Sequence, residues 1–409
     1  MRHLFVWVRG ADNSISLAGE LATSDPLPQN GRFESEFQYA QEWLDSPAGF
    51  SLDPVSLPLD KSNRTFRAIF FQPPLGVLED ALPDDWGRGL LRAAIRLEGR
   101  QPTLTDLLLR MRGGGTGALL FTDTKEAPEP DTTIQSTALP ELVVAAEKFE
   151  AGTLPPEHEF RRLLEGSSRA GGARPKALVH DASGEWLVKF PSRSQDSPHD
   201  VVGLEAVCLT LARRAGLEVP DAHLLALAAK RVLMVRRFDV TPQNGRFHMV
   251  SLSTLCRERP GIYVHDYSTL ARTIRKYSVS PLEDVTALFR HMVFNAAIGN
   301  VDDHLKNLWM LRKQREGYRL APAFDLVPDI TERGQHTLHF LHMSYCPGKA
   351  DLTNVASQWN VDKPADIVGQ VAESVSGFAT VAREMEVTGK EPLAKVLKDI
   401  DRRLQTLLS

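Results

Sequence analysis

Asn300-Val301-Asp302-Asp303-His304-Leu305-Lys306-Asn307 follows an apolar run with helical spacing and precedes a second apolar run, Leu308 to Leu311. Polar groups packed this densely between two core-forming segments call for a chemical reason. Phosphoryl transfer supplies one. A carboxylate orients the attacking hydroxyl and takes its proton, and an Asn five residues later binds the metal bridging the phosphates. Asp302 and Asn307 have that spacing, whereas Asp303 and Asn307 are four apart, so replacing Asp303 should do much less than replacing Asp302. Taken alone, the same letters also describe a solvated loop with an Asx turn.

Residues on either side favour the chemical reading. Leu308 to Leu311, the turn Lys313 to Gly317 and Tyr318 to Ala321 predict a hairpin, which would carry Phe324-Asp325 back beside Asn307. A carboxylate and an amide oxygen, both hard ligands, would then share one cavity, which suits Mg²⁺ held jointly with ATP phosphate oxygens. An isolated Asp325 reads equally as a turn former or a helix cap. Upstream, Gly166-Ser167-Ser168-Arg169-Ala170-Gly171-Gly172-Ala173-Arg174-Pro175-Lys176 leads into a predicted hairpin of Lys176 to His180 and Trp186 to Phe190. Its small residues let backbone N–H groups approach phosphates, and its Ser and Arg side chains add donors, although an ordinary flexible turn has the same composition. Lys189, in the apolar strand Trp186 to Pro191, needs an anionic partner. The ATP phosphates fit, with Glu205 on the next predicted helix, about 201 to 215, holding the ammonium as in protein kinases. A lysine snorkelling from an edge strand is the other reading.

The rest of the chain sets the frame. At 409 residues it should form two or three packing units. With 42% apolar and 24% charged residues it has material for a core, and 48 basic against 52 acidic residues, a net −4, give no support for a coat on nucleic acid or anionic membrane. Cys208, Cys256 and Cys346 form no CxxC pair, which excludes a zinc ribbon and fits a reducing compartment. The short apolar run Leu4 to Val8 is no signal peptide, no membrane span is evident, and a cytoplasmic protein is expected. Leu4 to Val8 and Ile15 to Leu21 predict a hairpin, and helices are expected after Pro83-Asp84-Asp85-Trp86-Gly87 and over Leu104 to Met111. The polar stretch 123 to 137 suggests a linker, giving domains at 1 to 125, 139 to 240 and 241 to 409. Ser280-Pro281-Leu282-Glu283 should cap a helix with the stripe Val285, Leu288, Phe289, Met292 and Ala296, stopping at Gly299. A last amphipathic helix should bury Leu393, Val396, Leu397, Ile400 and Leu404. Arg112 to Gly117 lacks the Gly-Lys-Ser/Thr of a phosphate loop and leads instead into a strand, Ala118 to Phe121.

Over most of its length the sequence resembles the HipA family of toxin serine/threonine kinases. The resemblance is carried by the N-terminal hairpin, Phe33-Glu34-Ser35-Glu36-Phe37-Gln38-Tyr39-Ala40-Gln41-Glu42-Trp43-Leu44 and Leu82-Pro83-Asp84-Asp85-Trp86-Gly87-Arg88. The Gly-rich loop, Val188-Lys189-Phe190-Pro191, Val235-Arg236-Arg237-Phe238-Asp239, Asp302 to Asn307 and Phe324-Asp325 complete it. It implies an α+β, PI3/4-kinase-like two-lobed fold with an extra N-terminal α/β subdomain and a mostly helical C-terminal lobe. It further implies ATP and Mg²⁺ as cofactors, Asp302 as catalytic base, and Asn307 with Asp325 as metal ligands. Lys189, Glu205, Lys306, Ser168, Ala170, Gly171 and Gly172 would serve the nucleotide phosphates, and Arg236 to Phe238 would receive adenine. In this family a serine of the Gly-rich loop can be autophosphorylated; Ser168 is the nearer match and Ser167 the second. Implied partners are a protein substrate, which for family members includes aminoacyl-tRNA synthetases, and a HipB-like helix-turn-helix antitoxin that would mediate any DNA contact. This sequence departs from some members in an added loop glycine, in Arg236 in place of Glu, and in having no Gly after Phe324-Asp325. A kinase-fold co-repressor that mainly docks the antitoxin is the competing reading, and a metal-dependent phosphoesterase is a third.

Overall fold

The computed structural model describes all residues except 1, 25–33, 69–75, 112–114, 130–132, 168, 170–171, 193–195, 197, 228–229, 257–265 and 314–316. Contacts divide the chain into two units: Met1–Val188 with Arg237–Ile262 and Leu311–Glu316, and Lys189–Arg236 with Tyr263–Met310 and Gly317–Ser409.

In the first unit, β1 (Arg2–Arg9) and β2 (Ile15–Thr23) form the predicted hairpin. Asn13, at φ 69°, takes the left-handed turn position that asparagine tolerates, and the Asp12 carboxylate accepts from the Ser14 N–H and hydroxyl. With β3 (Ser35–Tyr39), β4 (Thr65–Ala68) and β5 (Leu119–Thr122) they make an antiparallel sheet in the order β4-β3-β2-β1-β5. A register shift between Val6 and Trp7 accompanies burial of four successive residues, Val6 to Arg9. The helix Asp85–Leu97 buries Leu90, Leu91, Ala94 and Ile95, the expected stripe. The next, Leu104–Arg110, is closed by a Thr103/Asp106 capping box. The polar stretch 123 to 137 lies inside this unit, and Ile134–Gln135 within it pairs in parallel with the strand Lys176–Asp181.

The second unit is built round the helix Pro281–Ile298. Its N-terminal half shows the anticipated stripe, but from His291 to Ile298 every residue is buried, as befits a helix enclosed by its neighbours. The helices Tyr267–Tyr277, Pro364–Ser376 and Lys390–Leu408 pack against it. Gly299 ends it in the left-handed region at φ 71°, and its N–H returns to the Asn295 carbonyl. The capping box expected at Ser280 does not form. Ser280 makes no side-chain cap; Asp284 instead accepts from the Ser278 hydroxyl, the Leu320 N–H and Arg319, tying the helix start to the strand Tyr318–Leu320. The terminal helix buries Val396, Ile400, Arg403 and Leu407, so an arginine takes a place on the inner face that the apolar pattern had assigned to Leu404. Among the described residues no helix is long and apolar enough to cross a membrane.

Candidate active site

Lys189 closes the strand Gly184–Lys189 and is 7% exposed. Alternation along Trp186, Val188 and Phe190 buries one face of this segment, yet the lysine is buried as well, so its ammonium must be neutralised inside the protein. Two carboxylates do so: Glu205 Oε1 and Asp325 Oδ1 each lie 2.6 Å from Nζ. Burial pushes the Lys189 ammonium down, but Asp325 and Glu205 outweigh it and hold the group above its ordinary value. Glu205, 3% exposed, is delivered by the helix Val201–Arg214, whose N-cap Asp200 accepts from the Gly203 N–H. Asp325 arrives by a different route. The Ala321 N–H donates to the Trp309 carbonyl in the predicted hairpin, and the Ala323 N–H donates to the carbonyl of Glu218, just past that helix. Asp325 itself stands at φ 57°, a left-handed conformation that aspartate visits more readily than bulky residues.

The hairpin register also fixes the loop before it, because Asn307 lies two residues ahead of Trp309 and Asp325 four beyond Ala321. Asn307 is half-buried and donates through Nδ2 to the Asp302 carbonyl at 3.3 Å, so the two ends of the five-residue spacing meet. The Asp302 side chain is 67% exposed, open to an incoming hydroxyl, and pairs with Arg333 at 3.4 Å. Lys306 is exposed, and its carbonyl accepts from the Trp309 indole. Asp303 points the other way. Buried, it accepts from the Tyr267 hydroxyl at 2.7 Å and from the Thr337 and Leu338 N–H groups. Behind it, His336 Nδ1 lies 3.5 Å from Asp303, His336 Nε2 meets Arg403, and Arg403 pairs with Asp399. Spacing had given Asp303 little importance. The structure makes it the anchor that holds the loop while Asp302 faces outward, a duty legible only in three dimensions.

The Gly-rich loop belongs to the first unit. Ser168, Ala170 and Gly171 lie outside the described residues. Ser167, the second autophosphorylation candidate, ends the helix Glu157–Ser167 fully buried, its hydroxyl without a hydrogen-bond partner among the described residues, so phosphate could reach it only if that helix end opened. Gly172 has φ 104°, a conformation that requires glycine. Its N–H donates to Asp84 at 3.0 Å and its carbonyl accepts from the Trp86 N–H, so the Asp84-Asp85-Trp86 motif, for which the sequence offered no chemistry, clasps the loop. In the stretch matched to the hinge, Arg236 is exposed and its N–H donates to the Asp221 carbonyl. The Arg237 N–H donates to the Glu185 carbonyl, and the Arg237 side chain turns into a buried pair with Asp239. Phe238, the third residue of that stretch, is half-buried. Among the described residues no three His, Cys, Asp or Glu side chains converge as a metal cluster. Asp325 and Asn307 are hard oxygen donors of the kind Mg²⁺ takes, of which one or two suffice beside waters and phosphate oxygens.

Comparison with known proteins follows the same lines. The family model of the HipA-like C-terminal domain matches residues 168–380, and that of the HipA N-terminal domain matches residues 16–122. "Putative kinase Y4dM" of Sinorhizobium fredii is 27% identical over 242 residues, which cover 55% of this chain and 58% of that protein, less than two thirds of its length. A similarly named protein of the same organism, Y4mE, is 26% identical over 322 residues, 72% of each. Among solved structures, a chain of the Shewanella oneidensis MR-1 complex of HipA, HipB and operator DNA superposes with a TM-score of 0.69 over 97% of this chain and 95% of that one. Identity there is 18%, so the likeness is one of fold.

Proposed function

The chain belongs to the HipA family of kinase-like proteins, and from that membership we propose that it is an ATP- and Mg²⁺-dependent serine/threonine protein kinase. The observation that carries this reading is the buried Lys189 held between Glu205 and Asp325. An ammonium fixed in this way, at the end of a strand, is placed to hold the α- and β-phosphates of a nucleotide. Asp302 accepts the proton of the substrate hydroxyl as that oxygen bonds to the γ-phosphorus and ADP departs with the electrons of the broken P–O bond. Asn307 and Asp325 would hold Mg²⁺, which supplies charge neutralisation on the phosphate oxygens when bound. Asp302 stays largely exposed while it pairs with Arg333, a contact that an entering substrate hydroxyl would share or displace.

The biological role proposed with it is that of the toxin of a toxin–antitoxin pair acting in the cytoplasm. Its partner would be a HipB-like helix-turn-helix antitoxin, through which alone it meets DNA, and its protein target could belong to the aminoacyl-tRNA synthetases. Asp302→Asn should abolish incorporation of radiolabelled γ-phosphate, lowering it by at least 10²-fold, while the circular dichroism spectrum stays unchanged. Incorporation that survives this change would remove Asp302 from the role of base. A wild-type chain inert with ATP alone and with the antitoxin removed would favour the co-repressor reading.

A further inference from the structure

We propose that the first unit holds a second binding site, for a small organic anion with a flat apolar body, in the cavity lined by Arg9, Arg246, Arg312, Trp43 and Phe50. The cavity encloses about 440 Å³, within the range of small-molecule pockets. It lies among residues of the first unit, whereas Lys189 and Asp325 belong to the second, and the inference does not depend on the kinase reading.

Its base is rigid. The Arg246 N–H donates to the Gly10 carbonyl, the Thr241 hydroxyl donates to the Ala11 carbonyl, and a Cβ on Gly245 would collide with both carbonyls. Three buried guanidiniums meet behind this contact. Arg237 is answered by both oxygens of Asp239, and Arg246 by both oxygens of Glu185. Arg9 donates only to neutral groups among the described residues, the Asn13 side chain and the Asn244 carbonyl. Three buried positive charges therefore face two carboxylates, and such an excess is costly unless an anion joins it. Burial and then the neighbouring Arg237 push the Arg246 guanidinium down to about 10. Arg312 adds a further guanidinium to the wall, 4.7 Å from the centre of the Phe50 ring.

Among the described residues, the nearby Asp12 and His248 do not answer Arg9. Asp12 is occupied by the Ser14 N–H and hydroxyl, and His248, kept neutral by burial with its titration near 4, bonds the Leu52 carbonyl. Trp43 and Phe50 lie edge to face at 5.2 Å and give the pocket an aromatic side. Guanidiniums beside such a surface select a carboxylate or a phosphate on an aromatic or similarly flat body.

Calorimetric titration of the full chain with phenyl phosphate, benzoate and uncharged phenol tests the site. One saturable site for at least one of the anions is expected, with phenol at least tenfold weaker; the tighter of the two anions tells phosphate from carboxylate sources. Arg9→Gln and Arg312→Gln should each weaken the anion tenfold or more, and Lys189→Met should leave it bound as before. If buried Arg9→Gln does not fold, half-buried Arg312→Gln decides. The site is refuted by absence of saturable anion binding, by equal binding of phenol, by full affinity in Arg312→Gln, or by loss of binding in Lys189→Met, which would assign the anion to the nucleotide site.

Discussion

Adjacent aspartates in one loop have opposite fates. Asp302 is exposed, and Asp303 is buried under three donors. Replacing Asp303 by Ala would leave the Tyr267 hydroxyl and two N–H groups without their acceptor, at roughly 1–3 kcal/mol for each stranded group, with partial relief from relaxation. Asp303→Ala should therefore lose about 3 kcal/mol in urea unfolding and lose phosphotransfer with it, whereas Asp302→Asn should unfold like the wild type. Equal stability of the two variants would show that the buried network does not hold the loop. The five-residue spacing of Asp302 and Asn307 was readable in the sequence as a pattern that phosphoryl transfer uses. The role of Asp303 was not, because nothing in the chain announces that Tyr267, Thr337 and Leu338 converge on it.

Helices and strands set how far pattern reading reaches. The hairpin β1–β2, the helices Val201–Arg214 and Pro281–Ile298 and the strand bearing Lys189 follow from periodicity and turn residues, and they stand where expected within a few residues. What failed was local chemistry overruled by packing: Ser280 yields its capping role, and Arg403 is buried because Asp399 and His336 receive it. The Asp84 motif gained a meaning only when its carboxylate was found on the Gly172 N–H. Asp84→Ala should raise KM for ATP several-fold with a smaller change in kcat, measured by initial rates; an unchanged KM would separate the clasp from nucleotide binding. The central helix also carries a pH dependence. Burial pushes His291 down to about 4, below its ordinary 6.5, so between those values the unfolded chain takes up a proton that the folded chain refuses. This contribution to stability is complete above pH 6.5 and falls away as pH drops toward 4, by about 3 kcal/mol. His291→Leu should flatten that part of the urea-stability profile, and an unaltered slope would place the titration elsewhere.

Taken as a whole, the molecule shares a fold with a chain of a toxin–antitoxin complex at 18% identity, a level at which function must be argued from the site. The sequence showed the order of the motifs, Gly-rich loop, lysine strand, Asp302 to Asn307 and Phe324-Asp325, because each has a characteristic residue type. It also offered Glu205, 16 residues on, as the partner of Lys189, but could not disclose that Asp325, 136 residues away, is the second carboxylate on the ammonium. Of the two, Glu205 is buried and Asp325 about one-third exposed, so the proposed kinase reading expects nucleotide and metal to draw upon Asp325. Calorimetric titration with ATP and Mg²⁺ tests this directly, comparing the wild type with Lys189→Met and Asp302→Asn. The account predicts saturable binding that weakens at least tenfold in Lys189→Met and stays within twofold of wild type in Asp302→Asn; wild-type affinity in folded Lys189→Met would contradict it.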